Sequence, residues 1–130
     1  MGGLDYRPAG GSGGGGGGGS SSGFFVSGTG AAPILITAAG GIIPPNFRRV
    51  LMYIAGNGGA VTVTKNPQIA AGNIDGDELE LVGTSANSVT LNNGNGLVNN
   101  GPWIGAVASR ILYYWNSAQA RWEEGARNGL

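Results

Sequence analysis

The sequence predicts an all-β fold, on three observations. Apolar and polar residues alternate in short runs: Glu78-Leu79-Glu80-Leu81 and Ala60-Val61-Thr62-Val63-Thr64 each put their apolar side chains on one face, as a half-buried strand requires. Between such runs lie Gly56-Asn57-Gly58-Gly59 and Asn92-Asn93-Gly94-Asn95-Gly96. Glycine and asparagine both tolerate positive φ, so these clusters predict tight turns. Helical spacing is weak everywhere; "GAVASRILYYW" could be forced into a helix, but Tyr113, Tyr114 and Trp115 favour a strand. Turn signals at roughly 8- to 12-residue spacing point to a compact antiparallel β-sandwich or barrel-like body.

The elements follow in order. Residues 1–9, "MGGLDYRPA", carry Leu4, Asp5, Tyr6 and Arg7. A Gly/Ser tether follows from Gly10 to Gly23, with seven consecutive glycines from Gly13 to Gly19; as a free coil it would span roughly 20 Å. Residues 1–23 are therefore expected to be an extended N-terminal arm, and 24–130 a β-rich body. In the body, strands are expected at 24–27, 33–37, 48–56, 60–64, 78–83, 88–92, 96–99, 109–116 and 120–127, from their β-branched and aromatic content.

Composition narrows the function. Seven lysines and arginines balance seven aspartates and glutamates, and charged residues are only 11% of the chain, against roughly 25% in ordinary soluble domains. So little charge suits a surface covered by neighbours, and opposes nucleic-acid binding, which needs a basic footprint. Cysteine and histidine are both absent. That removes disulfides, thiolate nucleophiles, the commonest general base near neutral pH and the commonest transition-metal ligand. No membrane-length apolar run occurs, and the N-terminus lacks the pattern of a secretory signal. The chain is expected to be soluble, without cofactor and without a membrane partner.

Few residues could carry chemistry. Carboxylates concentrate only in Asp75-Gly76-Asp77-Glu78-Leu79-Glu80. This lacks the spacing of a calcium loop, and is expected to be a solvated turn entering a strand with an acidic outer face. Paired carboxylates could serve glycoside hydrolysis, but no sugar platform adjoins them. The glycine homopolymer lacks the context of a phosphate loop, and no serine has a histidine partner. Tyr113, Tyr114, Trp115 and Trp122 could stack on sugar rings, or form a core or subunit interface. A non-enzymatic protein is expected.

A longer pattern runs from Pro33 to Asn128. It comprises "PQIAAG" at Pro67 to Gly72, "GDELELVGTS" at Gly76 to Ser85, "VTLNNGNGL" at Val89 to Leu97, and Trp-x-Glu at Trp122 to Glu124. This resembles a module of tailed bacteriophages found in head-fibre or capsid-decoration proteins and at the ends of tail fibres. The loop from Trp115 to Trp122 is longer and less glycine-rich than the family's usual closing hairpin, so a partner at that tip would differ. The resemblance implies a virion structural protein, homotrimeric, located on the capsid surface after assembly in the host cytoplasm, with the major capsid protein as partner. The arm residues Leu4, Asp5, Tyr6 and Arg7 are then the expected capsid contacts. Val50, Met52, Ile54, Ile111, Tyr113 and Trp115 are the expected trimer interface, because the body holds more apolar strand residues than a small monomer is expected to bury. The alternative is a tail-fibre or receptor-binding tip that recognises a host surface glycan through the aromatic cluster.

Overall fold

A computed structural model describes residues 21–128. Within them every regular element is a strand. In chain order these are β1 (Ser21–Ser27), β2 (Ile34–Ile36), β3 (Phe47–Gly56), β4 (Val61–Thr62), β5 (Glu78–Gly83), β6 (Val89–Leu91), β7 (Leu97–Val98), β8 (Trp103–Gly105), β9 (Arg110–Asn116) and β10 (Arg121–Arg127). All nine expected strands are present. β8 is additional, and β1 takes in Ser21 to Gly23, which the sequence assigned to the tether.

Two sheets form. The larger has the order β1-β3-β5-β9-β10-β7, with β2 paired to β3; the smaller has the order β4-β6-β8. The expected antiparallel arrangement is corrected by the register. β1/β3, β2/β3, β3/β5, β4/β6 and β7/β10 run parallel, while only β5/β9, β9/β10 and β6/β8 run antiparallel. Parallel neighbours need a crossover rather than a hairpin, and here the crossover is a coil of chain. From β3 in the large sheet the chain passes to β4 in the small one. It then returns as β5 beside β3, and passes again to β6 beside β4.

One coil takes about 28 residues, by the register itself: Ile42 bridges Ile69, Val61 pairs Val89, and Arg49 pairs Glu78. The stacking extends along one side of the body. Ile42 N–H donates to Gln68 O, Gln68 N–H donates to Asn95 O, and Leu97 pairs Trp122. Ile42, Ile69, Leu97 and Trp122 thereby bring apolar side chains from successive passes of the chain into one core.

That core lies between the sheets. Val50, Met52 and Ile54 of β3, Leu79 and Leu81 of β5, and Ile111, Tyr113 and Trp115 of β9 meet Val89 and Leu91 of β6 and Trp103 of β8. Alternation supplies these residues, since every second side chain of a strand faces the same way. Gly83 permits the close approach of the two sheets: a side chain there would collide with the backbone of Gly105 and Ala106. The outer face of the large sheet is polar at its centre, where Arg49 faces Glu78 at 3.6 Å and Arg110 faces Glu80 at 2.9 Å.

Candidate functional site

The proposed capsid contacts Leu4, Asp5, Tyr6 and Arg7 lie outside the described residues. The six residues expected at a trimer interface are all described, and all lie inside a single chain. Val50, Met52, Ile54, Ile111, Tyr113 and Trp115 belong to the core, and even the most exposed, Trp115, keeps only 8% of its surface accessible. This corrects the expectation. A side chain already covered by its own two sheets presents no surface to a neighbour. The second sheet, whose β8 lacked a sequence signal, supplies the cover.

The aromatic cluster is divided in the same way. Tyr113, Trp115 and Trp122 are buried, and only Tyr114 is exposed. Trp115 and Trp122 pack against each other, with centroids 5.3 Å apart and planes tilted by 59°, and Trp122 Nε1–H donates to Ala70 O at 2.9 Å. The three buried rings offer no open face for a sugar, which leaves Tyr114 as the cluster's one exposed ring.

The acidic segment builds structure. Asp77 was expected in solvent but is 2% exposed. Its Oδ2 accepts from Asn73 N–H and Ile74 N–H, closing the turn before β5, and its Oδ1 lies 2.6 Å from Arg48 Nε. Burial of a carboxylate is tolerable only with such partners. Asp75 accepts from the backbone and hydroxyl of Ser117, tying this turn to the β9–β10 loop. Glu78 and Glu80 face Arg49 and Arg110 on the outer face.

A second buried polar group joins the strands to the 99–102 loop; the sequence singled out its members Tyr113 and Glu124, but neither for this role. Tyr113 Oη donates to Asn99 Oδ1 at 2.7 Å, Asn99 Nδ2 donates to Leu91 O, and Asn99 N–H donates to Asn93 Oδ1. Close by, Glu124 and Arg127 form a bidentate pair at 2.6 and 2.7 Å, each side chain only 8% exposed. Arg127 also donates to Gly101 O and Pro102 O, while Glu124 accepts from Asn100 N–H. The Arg127 guanidinium, and next the Asn100 amide, hold the Glu124 carboxyl below the usual glutamate range against the opposing effect of burial. Burial, reinforced by the nearby Glu124 charge, pushes the Tyr113 phenol up. These bonds tie the 99–102 loop to β6, β9 and β10.

The charge distribution has a consequence for binding. Each of the five arginines between residues 21 and 128 is ion-paired within the chain: Arg48 to Asp77, Arg49 to Glu78, Arg110 to Glu80, Arg121 to Glu123 and Arg127 to Glu124. Apolar side chains are exposed on the body as well. Phe24, Phe25 and Val26 of β1 and Leu35 of β2 are exposed at one sheet edge, and Ile104 and Val107 are exposed beside a shallow groove lined by Pro102, Trp103 and Asn128. Among the described residues no three histidine, cysteine, aspartate or glutamate side chains cluster as metal ligands, and no helix is long and apolar enough to cross a membrane. Comparisons with protein families, curated proteins and solved structures return no match to this chain.

Proposed function

We propose that this chain is a non-enzymatic virion structural protein. It decorates the outside of a phage capsid as a homotrimer, docks through its N-terminal arm, and has the major capsid protein as its partner. The observation that carries the reading is the contrast between the two ends of the chain. The body neutralises its arginines internally, and no Asp, Glu, Lys or Arg occurs from Pro8 to Phe47, whereas Asp5 and Arg7 stand beside Leu4 and Tyr6 at the start of the chain. Aromatic and arginine side chains are the usual anchors of an interface. A glycine tether behind such an anchor lets arm and body bind as linked sites, which raises overall affinity without new contacts.

Further support comes from how the phage-like motifs are used. Gln68, of Pro67 to Gly72, donates through Nε2 to Asn92 O and Gly94 O and accepts from Asn92 N–H, within Val89 to Leu97. Trp122, of the last motif, donates to Ala70. Residues that carry the resemblance thus hold successive coils together, as a shared architecture would require.

Co-sedimentation tests the reading, using capsids assembled from the major capsid protein encoded in the same genome. The full chain is expected to pellet with capsids, and a variant lacking residues 1–20 is expected to stay in the supernatant while keeping its β-sheet circular dichroism. A full chain that fails to pellet would refute capsid decoration. A truncated chain that pellets as well as the full one would refute the role of the arm.

A further inference from the structure

One sheet edge is built unlike the others. β1 and β2 lie end to end along the side of β3 opposite β5: β1 pairs with Phe47 to Met52, and β2 with Ile54 to Gly56. Along a ten-residue β3 this edge runs about 33 Å. Phe24, Phe25 and Val26 are consecutive and are 53%, 38% and 47% exposed. Neighbouring residues of a strand point to opposite faces, so among the described residues apolar side chains are partly exposed on both faces of the edge. Ile34 and Leu35, 38% and 57% exposed, continue the strip.

Natural sheets guard their edges with short strands, charges or proline. The remaining edges here are short: β7 and β4 have two residues each, and β8 has three. β1 has seven residues and contains neither proline nor charge. Its side chains are nonetheless placed. Phe25 stacks on Phe47 with centroids 4.7 Å apart and planes 9° from parallel, and the Arg49 guanidinium lies 5.5 Å from the centre of the Phe24 ring.

We propose that this edge is the contact between copies of the chain, with two further copies covering it around a three-fold axis. The proposal rests on the homotrimer in the functional reading and assigns its interface. The occupant follows from charge. An ordinary protein surface, about one-quarter charged, would bury charges against an apolar strip whose one neighbouring charge, Arg49, already faces Glu78. The same strip from another copy adds none, because the stretch from Pro8 to Phe47 holds no Asp, Glu, Lys or Arg. The number three is taken from the homotrimer of the functional reading, and the two apolar faces supply a contact that suits it. A wedge pointing towards a three-fold axis would meet one neighbour with Phe24 and Val26 and the other with Phe25, so each contact joins two different surfaces, as a closed ring of identical copies allows.

The test uses the full chain at micromolar concentration. Sedimentation should give a trimer of the 13.0 kDa protomer, and the double variant Phe24→Lys, Val26→Glu should sediment as a monomer with unchanged far-ultraviolet circular dichroism. The chain lacks cysteine, so Val26→Cys and Tyr114→Cys each accept a single pyrene label, and this gives a readout that does not depend on a disruptive variant. Excimer emission is expected from position 26 and not from position 114, on β9. A wild-type monomer or dimer, a double variant that remains trimeric, or excimer emission from position 114 alone would overturn the proposal. Capsid binding is not measured in this experiment, so its outcome is independent of whether the chain decorates a capsid.

Discussion

Tyr113 shows what a buried polar atom requires. Its ring is fully buried, and its hydroxyl donates to Asn99 Oδ1; Asn99 in turn holds the backbone of Leu91. Removing the hydroxyl leaves the Asn99 oxygen without this donor, so Tyr113→Phe should destabilise the fold by about 1–3 kcal/mol, measured as a lower urea midpoint. The phenol is pushed up by burial, so its stabilising effect is complete below the ordinary tyrosine value and is lost as pH rises towards the folded value. An ultraviolet titration of the wild type should show at least one of the four tyrosines ionising only when the protein unfolds. Glu124 has the opposite sign. Arg127 holds its carboxyl low, so the stabilisation is complete above the ordinary glutamate value and is lost as pH falls through the depressed folded value. Glu124→Gln should cost about 3 kcal/mol at neutral pH, because it leaves Arg127 buried without its counter-charge. The variant should also flatten the acid limb of a plot of urea midpoint against pH. An unchanged acid limb would mean that other carboxylates govern acid unfolding.

At the scale of elements, glycines decide how closely the coils pack. Gly72 lies against the Trp115 indole, and a methyl group there would overlap the ring. Gly72→Ala should therefore displace Trp115 from Trp122 and cost about 1–3 kcal/mol, as overpacking does, with a changed near-ultraviolet circular dichroism spectrum as the readout. The strands themselves were legible, because two-residue alternation in β3, β5 and β9 reads the same in sequence and structure. Their pairing was not. Alternation is identical in parallel and antiparallel strands, so the coil was hidden, although Val61-Thr62-Val63 and Val89-Thr90-Leu91 repeat at its 28-residue spacing. β8 was missed because Trp103-Ile104-Gly105 is short and follows Asn99-Asn100-Gly101-Pro102, which reads as loop. The six core residues were read as an interface for a related reason. An apolar stripe such as Val50, Met52 and Ile54 looks the same whether a second sheet or a second chain covers it. The exposed run Phe24-Phe25-Val26 is, by contrast, a sequence feature that no single buried face explains.

The whole molecule joins its two sheets through one core, and that determines how it unfolds. The small sheet has strands of only two and three residues, too short to persist alone. Its Val89, Leu91 and Trp103 are buried in the same cluster as Leu81, Ile111 and Tyr113 of the large sheet. The chain crosses between the sheets repeatedly, so neither can separate without breaking the parallel pairings of the other. Unfolding should therefore be a single cooperative transition. The three tryptophans allow a direct check, since Trp103 lies in the small sheet and Trp115 and Trp122 lie in the large one. A Trp103→Phe variant reports on the large sheet by fluorescence, and a Trp115→Phe, Trp122→Phe variant reports on the small one. Within each variant, the fluorescence midpoint in urea should coincide with the midpoint from far-ultraviolet circular dichroism. An earlier fluorescence transition at Trp103 would show that the small sheet detaches first and that the core is divided. The same measurement on the chain lacking residues 1–20 should return the wild-type midpoint, because among the described residues every core side chain lies at or beyond Ile36. A fall of several kilocalories per mole in that variant would instead make the arm a part of the fold.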